Sequence, residues 1–116
     1  MSANTRITLL VAYRHTLLRQ ALRTVLAAQP DMDVIAEARD GKAAVEAAGR
    51  LRPDVALMDT QLPIVSGIEA ARLIRRPGGN TRVLLLAPGV DDELLLGRLR
   101  TGAAGCLLQE ADLKEL

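Results

Sequence analysis

Short apolar runs alternate with amphipathic helical patterns along the whole chain of 116 residues, and this alternation constrains the fold most strongly. The apolar runs predict five buried strands, at Ile7–Ala12, Met32–Ala38, Asp54–Met58, Arg82–Ala87 and Ala104–Leu108. The stretches between them carry apolar residues at helical spacing, as at Leu18, Leu22, Val25 and Leu26. Strands that alternate with helices form parallel βαβ units with helices on both faces of the sheet.

The strand patterns also predict the arrangement of the sheet. Arg82–Ala87 has the most continuous apolar run of the five strands, which indicates burial on both faces, whereas Met32–Ala38 partly alternates and favours an edge position. We therefore expect an α/β, flavodoxin-like doubly wound (βα)5 fold whose five-stranded parallel sheet has the order 2-1-3-4-5. In that order the functional crevice lies outside the carboxyl ends of the first and third strands.

Helix starts are marked by capping residues. Asp40-Gly41 begins a second helix with an apolar face at Ala44, Ala48 and Leu51, and Ser66 with Glu69 forms a capping box for a third. Asp91-Asp92-Glu93 places negative charge at the start of a fourth helix. Asp112 has the form of a cap for a fifth helix, which the end of the chain at Leu116 would truncate after one turn.

Composition excludes several classes of function. Tyr13 is the one aromatic residue and the formal net charge is +1, so neither a base-stacking surface nor a broad phosphate-binding face is expected. Cys106 is the one cysteine, which fits a reducing compartment. No apolar run approaches the roughly 18 residues of a membrane span, and we expect a cytoplasmic protein that does not bind membranes.

The crevice predicted by the strand order contains one acid at the end of a central strand. Asp59 could accept a phosphoryl group as an acyl phosphate, a reaction that needs Mg²⁺ and therefore further oxygen ligands. The other positions that follow the first, third, fourth and fifth strands carry no second acid; they are Tyr13, Arg14, Gln61, Ala87, Pro88 and Gln109. We expect Mg²⁺ binding to be weak or absent and the Tyr13 ring to cover the rim of the crevice. Two alternatives stay open for Arg14, which either pairs with Asp59 or is solvated.

Three stretches resemble the receiver domain of two-component response regulators, in the subclass joined to a LuxR-type helix-turn-helix. They are RPDVALMDTQLPIVSGIEAARLIR (Arg52–Arg75), TRVLLLA (Thr81–Ala87) and TGAAGCLLQEADLKEL (Thr101–Leu116). The pattern D-x-x-L-P-x-x-x-G from Asp59 to Gly67 is the most specific part. The resemblance implies that Asp59 is the phosphoacceptor for a histidine kinase and that Gln61 offers a backbone carbonyl to Mg²⁺.

The chain departs from the pattern of that family at most of its functional side chains. The acidic pair of the family falls on Tyr13 and Arg14, its Thr or Ser on Ala87, its Lys on Gln109, and its aromatic switch residue on Cys106. The resemblance therefore implies an atypical receiver domain over residues 1–116, with most of the fifth helix missing and a DNA-binding domain beyond the chain end.

Three functions remain open from the sequence. The first is a non-enzymatic signal-receiving and dimerisation module of a transcriptional regulator, forming a homodimer and working without conventional Mg²⁺-dependent phosphorylation. The second is a receiver that senses a small molecule, an end product or an anion, with Arg14 as the polar anchor. The third is conventional phosphorylation of Asp59 by a histidine kinase.

Overall fold

The computed structural model describes residues 6–75 and 79–86 and the backbone of 105–107. The strands are β1 (Ile7–Ala12), β2 (Met32–Ala38), β3 (Val55–Asp59), β4 (Arg82–Leu86) and β5 (Gly105–Leu107). The described helices are α1 (Thr16–Ala27), α2 (Gly41–Leu51) and α3 (Gly67–Ile74). The predicted fourth and fifth helices, at 91 and 112 onward, lie outside the described residues.

The five strands form one sheet in the order β2-β1-β3-β4-β5, and every neighbouring pair is parallel. The predicted strand order is confirmed, with the partly alternating β2 at an edge. Both bounds of β3 differ from the prediction by one residue, because the strand begins at Val55 and includes Asp59, which pairs with Leu86 of β4. Asp59, the candidate phosphoacceptor, therefore belongs to the strand itself, and its backbone is held in place by the pairing of β3 with β4.

The two faces of the sheet are built from side chains of different size. On the α1 side, Leu9, Val11 and Leu57 of the sheet pack with Leu22 and Leu26 of the helix. On the α2–α3 side, eight of the fourteen buried residues are alanines: Ala12, Ala38, Ala44, Ala47, Ala48, Ala56, Ala70 and Ala71. Small side chains allow helices to approach a sheet closely, and on this side α2 packs against β1 and β2 while α3 packs against β4.

The starts of α2 and α3 have the predicted caps at Asp40 and Ser66, but the predicted capping box is only half formed, because the Glu69 side chain bonds to Arg72 and not to the Ser66 N–H. The Asp40 carboxylate accepts a hydrogen bond from the Ala43 N–H at 2.7 Å, and the Ser66 hydroxyl accepts one from the Glu69 N–H at 3.2 Å. The predicted apolar face of α2 is wrong at one position, since Leu51 is exposed and Ala47 is buried in its place. Leu51 is the last helical residue, and the chain turns away there through Arg52, which has a left-handed conformation with φ of 49°.

The amino ends of the strands are joined by side-chain hydrogen bonds. Asp54 Oδ2 accepts from the Thr8 N–H at 2.9 Å and from the Thr8 hydroxyl at 3.0 Å, while the Asp54 N–H donates to that hydroxyl at 2.8 Å. The Thr81 hydroxyl donates to the Pro53 carbonyl at 2.7 Å. These bonds tie β1, β3 and β4 together at the end opposite the predicted crevice. Within the described ranges, no helix is long and apolar enough to cross a bilayer.

Candidate functional site

Asp59 ends β3 in a buried position, with only 5% of its surface exposed. Its Oδ1 atom accepts a hydrogen bond from the Gln61 N–H at 3.0 Å. This short-range bond folds the chain back immediately after the strand and holds the carboxylate toward the carboxyl edge of the sheet. The Gln61 side chain itself is exposed.

The loop that follows Asp59 is held by two glycines at helix starts. Gly67 begins α3, donates its N–H to the Thr60 carbonyl at 3.0 Å, and lies so close to the Asp59 carbonyl that a Cβ there would overlap it. Gly41 begins α2, donates to the Pro63 carbonyl at 3.1 Å, and leaves no space for a Cβ against the Val65 carbonyl. Backbone contacts that only glycine permits therefore fix residues 60–66 beside Asp59.

The middle of this loop presents an apolar side chain to solvent. Leu62 is buried in the core on the α2–α3 side and anchors the loop. Two residues later Ile64 adopts a φ of 71°, spanned by a hydrogen bond from the Val65 N–H to the Pro63 carbonyl at 2.8 Å. A positive φ is costly for a β-branched residue. Ile64 is nevertheless 77% exposed, so no burial of its side chain offsets that strain.

Tyr13 lies deep in the molecule, and the expectation that its ring covers the rim of the crevice is wrong. It is only 2% exposed and packs in the core on the α1 side, because side chains alternate along a strand and Tyr13 continues the face of Leu9 and Val11. Burial, and secondly the charge of Asp59, raise the pKa of the Tyr13 hydroxyl far above its ordinary value. The ring is therefore neutral and fills space next to Asp59.

Arg14 does not pair with Asp59 in the structure, which has the solvated side chain, the second of the two alternatives. Its side chain is exposed, and within the described residues no ion pair of 4.0 Å or less joins the two groups. The Tyr13 N–H bonds to the Ala38 carbonyl at 3.0 Å, which extends the β1–β2 ladder by one residue and releases Arg14 into solvent. A solvated guanidinium gains little by giving up its hydration for a buried carboxylate.

Among the described residues, the donors near Asp59 do not match the ligand shell that Mg²⁺ requires. Magnesium takes octahedral oxygen ligands, usually with carboxylates among them. Where the fold family supplies two acids after β1, this chain has the buried ring of Tyr13 and the exposed cation of Arg14. The part of the chain that the structure describes contains no cluster of three or more His, Cys, Asp or Glu residues suited to a metal ion.

The remaining predicted site positions follow β4 and β5. Ala87, Pro88 and Gln109 lie outside the described residues. Cys106 is described through its backbone alone, which pairs with Leu85 in the β4–β5 ladder. Cys106 therefore lies in the strand where it was predicted, and its role as a switch residue stays a prediction.

Arg19 is a structural residue of this edge that the sequence did not reveal. Its Nη1 donates to the Tyr13 carbonyl at 2.8 Å, and its Nε to Glu37 Oε1 at 3.1 Å. Arg23, one turn later on α1, donates to the other oxygen of Glu37 at 2.9 Å. Glu37 is 18 residues from Arg19 in the chain, so no local pattern could have paired them.

The match between this geometry and known proteins extends over nearly the whole chain. Residues 9–116 match the response regulator receiver domain. This chain belongs to that family. Its relatives include the transcriptional regulatory protein DegU of Brevibacillus brevis, which is 36% identical over 107 residues, covering 92% of this chain and 45% of DegU. The chain thus spans about half the length of such relatives.

Solved structures agree with the family assignment. The signal receiver domain of NarL from Mycobacterium tuberculosis superposes with a TM-score of 0.74 at 33% identity, covering 90% of this chain and 85% of that one. A two-component response regulator of the LuxR family from Aurantimonas sp. SI85-9A1 gives a TM-score of 0.71 at 26% identity, with 95% and 81% covered. The expected resemblance to receiver domains of LuxR-type regulators is confirmed.

Proposed function

We propose that this receiver is the signal-receiving and dimerisation module of a transcriptional regulator, and that it works without conventional Mg²⁺-dependent phosphorylation of Asp59. The regulatory role is supported by the relatives, which are transcriptional regulatory proteins about twice as long. The additional length of those relatives fits a DNA-binding domain, and a regulator of that kind acts in the cytoplasm as a homodimer, with no catalytic step of its own.

The burial of Tyr13 is the observation that supports function without Mg²⁺-dependent phosphorylation. An aspartyl phosphate adds nearly two negative charges to the site of an existing carboxylate. In a receiver that uses Mg²⁺, carboxylates after β1 hold the cation that neutralises those charges. Here the Tyr13 ring is packed into the α1-side core at that position, so restoring an acid would require emptying part of the core.

Beryllofluoride, a mimic of the aspartyl phosphate, tests the proposal. We expect no saturable shifts of the amide resonances around Asp59 when beryllofluoride and Mg²⁺ are added. Saturable shifts there at micromolar to low-millimolar Mg²⁺ would instead establish conventional phosphorylation by a histidine kinase as the better function.

An Arg14→Asp variant makes the same titration sharper. Arg14 is exposed, so the substitution adds one carboxylate at the crevice without disturbing the core. We expect it to bind Mg²⁺ measurably more tightly than the unchanged chain. The matched control is Arg50→Asp, which makes the same charge change at an exposed position in the last turn of α2. If both variants bind Mg²⁺ equally, the identity of residue 14 does not limit the site.

A second candidate function is the sensing of an anionic small molecule. The observation that favours it is that Arg14 is exposed beside the crevice and makes no ion pair among the described residues, which leaves its guanidinium available to a carboxylate or phosphate ligand. Thermal stabilisation of the chain by a metabolite, lost in Arg14→Ala but kept in Arg50→Ala, would support it. Equal stabilisation of both variants would argue against an Arg14 anchor.

A further inference from the structure

The edge strand β2 contains one residue more than its pairing with β1 can use. Leu9 of β1 pairs with Val34, but the next residue, Leu10, pairs with Ala36. Ile35 is therefore a β-bulge, an extra residue without a partner on β1, and it is 37% exposed. A bulge disrupts the ladder locally, so other contacts must hold the two halves of the strand in this register.

The bulge changes the faces to which the side chains of β2 point. Before it, Met32 and Val34 pack on the α1 side of the sheet. After it, Ala36 and Ala38 pack on the α2–α3 side, although residues two apart in a regular strand share one face. The bulge therefore turns Glu37 toward α1. The partial alternation of β2 in the sequence reflects this change of face.

Glu37 is held on the α1 side by two ion pairs. Its Oε1 accepts a hydrogen bond from Arg19 Nε at 3.1 Å, and its Oε2 accepts one from Arg23 Nη1 at 2.9 Å. The Arg19 side chain is only 14% exposed and also donates to the Tyr13 carbonyl at 2.8 Å. Glu37 thus links the second half of β2 to α1 and, through Arg19, to the end of β1.

The same residues have a second pairing available that needs no bulge. A shift by one residue places Ile35 opposite Leu10 and moves every later side chain of β2 to the other face. Ile35 then packs on the α2–α3 side, which adds apolar burial. Glu37 moves to the same alanine-rich side, away from both arginines, and burying a carboxylate there is unfavourable. The two alanines of this half, Ala36 and Ala38, are small enough for either face.

We propose that β2 is a strand with two registers and that the ion pairs of Glu37 select the bulged one. Apolar packing does not make the selection, because a concavity of about 200 Å³ lies beside the bulge and Ile35 stays exposed there. The carboxylate makes it, since only the bulged register keeps Glu37 with Arg19 and Arg23. The register of β2 is thereby coupled to the contact of Arg19 with the Tyr13 carbonyl. This conformational device goes beyond the proposed function, since it needs no phosphate and no ligand.

Removal of the carboxylate tests the selection. In Glu37→Ala the unbulged register no longer buries an acid, so we expect most molecules to adopt it. Methyl contacts measured by NMR report the faces: Ala38 should move from the α2–α3 side to the α1 side, and Ile35 should become buried. The matched control is Asp33→Ala, which removes an exposed acid of the same strand before the bulge and should leave both side chains in place. An unchanged face of Ala38 in Glu37→Ala would overturn the proposal.

Deletion of Ile35 distinguishes a shift of register from a general loosening of the edge. Without the extra residue, both halves of β2 keep their native partners on β1 in one regular strand. Deletion of Ile35 combined with Glu37→Ala should therefore restore the contacts of Ala38 on the α2–α3 side. Contacts that stay lost in the combined variant would indicate loosening and refute the two registers.

A milder substitution covers the case in which Glu37→Ala does not fold. Glu37→Gln keeps the size of the side chain and removes its charge. Two sets of resonances for Ile35 and Ala38 in that variant would support the proposal, and a single set with the contacts of the bulged register would refute it.

The coupling to Tyr13 has a readout of its own. Tyr13 is the one aromatic residue, so the near-ultraviolet circular dichroism reports its surroundings alone. We expect this signal to weaken in Glu37→Ala and to persist when Ile35 alone is deleted, because Glu37 then keeps both arginines. An equal loss of the signal in the two variants would refute the coupling.

Discussion

Asp54 and Asp59 stand at the two ends of the same strand, and their carboxylates have opposite surroundings. Asp54, just before β3, is exposed and exchanges three hydrogen bonds with Thr8. Asp59, at the other end, is buried and accepts one hydrogen bond from its described surroundings, from Gln61. The exposed carboxylate of Asp54 joins two strands through its hydrogen bonds, whereas the buried carboxylate of Asp59 has few described partners. Exposure of a carboxylate therefore does not mean that it is free of structural hydrogen bonds.

We expect the largest loss of stability from a substitution that disrupts the backbone packing beside Asp59. Gly67→Ala places a Cβ on the Asp59 carbonyl, and relief requires the start of α3 to move, so we expect a loss of about 3 kcal/mol in the free energy of unfolding. Urea denaturation measures it. The control is Gly49→Ala on the open side of α2, where nothing lies within 4 Å; it should stabilise by about 0.5 kcal/mol. If Gly67→Ala changed the free energy of unfolding no more than Gly49→Ala does, the close approach of Gly67 to the Asp59 carbonyl would be absent in solution.

The next effect compares the two acids directly. Asp54→Ala removes the acceptor for two Thr8 bonds, and we expect a loss of about 2 kcal/mol in unfolding free energy. Asp59→Asn keeps an acceptor for the Gln61 N–H, so its effect should stay within about 0.5 kcal/mol. A larger loss for Asp59→Asn than for Asp54→Ala, by the same urea method, would reverse the comparison.

The stability of the chain at high pH tests whether Tyr13 is buried beside Asp59. Burial raises the folded-state pKa of Tyr13, so above the ordinary tyrosine pKa of about 10 the unfolded state loses a proton that the folded state keeps. Stability should therefore fall by about 1.4 kcal/mol for each pH unit above that value. Tyr13 is the one aromatic residue, so tyrosinate absorbance reports it alone. Absorbance that rises near pH 10 while the far-ultraviolet circular dichroism stays native would contradict its burial.

We expect the smallest difference in stability between substitutions of Arg19 and Arg23, which both bind Glu37. Both Arg19 and Arg23 bind Glu37, but only Arg19 also binds the Tyr13 carbonyl and is largely shielded from solvent. Arg19→Ala should cost about 1 kcal/mol of unfolding free energy, while Arg23→Ala should cost no more than about 0.5 kcal/mol. Equal costs in thermal or urea melts would mean that the Tyr13 contact adds nothing to the Asp59 end.

The sequence was sufficient for features that repeat or that act locally. The bounds of β1 and β2, the strand order, and the caps at Asp40 and Ser66 all follow from periodicity and short-range hydrogen bonding. The position of Asp59 at the edge of the sheet followed from the same periodicity. Its membership of β3 did not, because a polar residue at a strand end gives no signal of ladder pairing.

The errors concern side chains whose positions depend on distant parts of the chain. Alternation along β1 contained the information that Tyr13 shares the face of Leu9 and Val11, but the break after Ala12 obscured it. The sequence leaves Arg14 open between a pair with Asp59 and a solvated side chain, because the competition between charge and hydration depends on where the two groups lie in space. The overlap that restricts residue 41 to glycine arises with Val65, far along the chain, so no local pattern could indicate it. Gly67, by contrast, overlaps Asp59, which begins the same short sequence pattern.

The alanines on the α2–α3 side of the sheet have a consequence for mapping this protein by mutation. An alanine scan detects a core by removing atoms, and eight of the fourteen buried positions on this side have nothing to remove. The side opposite, with its leucines and Tyr13, would dominate such a map even though two helices rest on the alanine side. A scan with valine or leucine, which adds volume where alanine stands, would show that the less visible half of the core tolerates the least change.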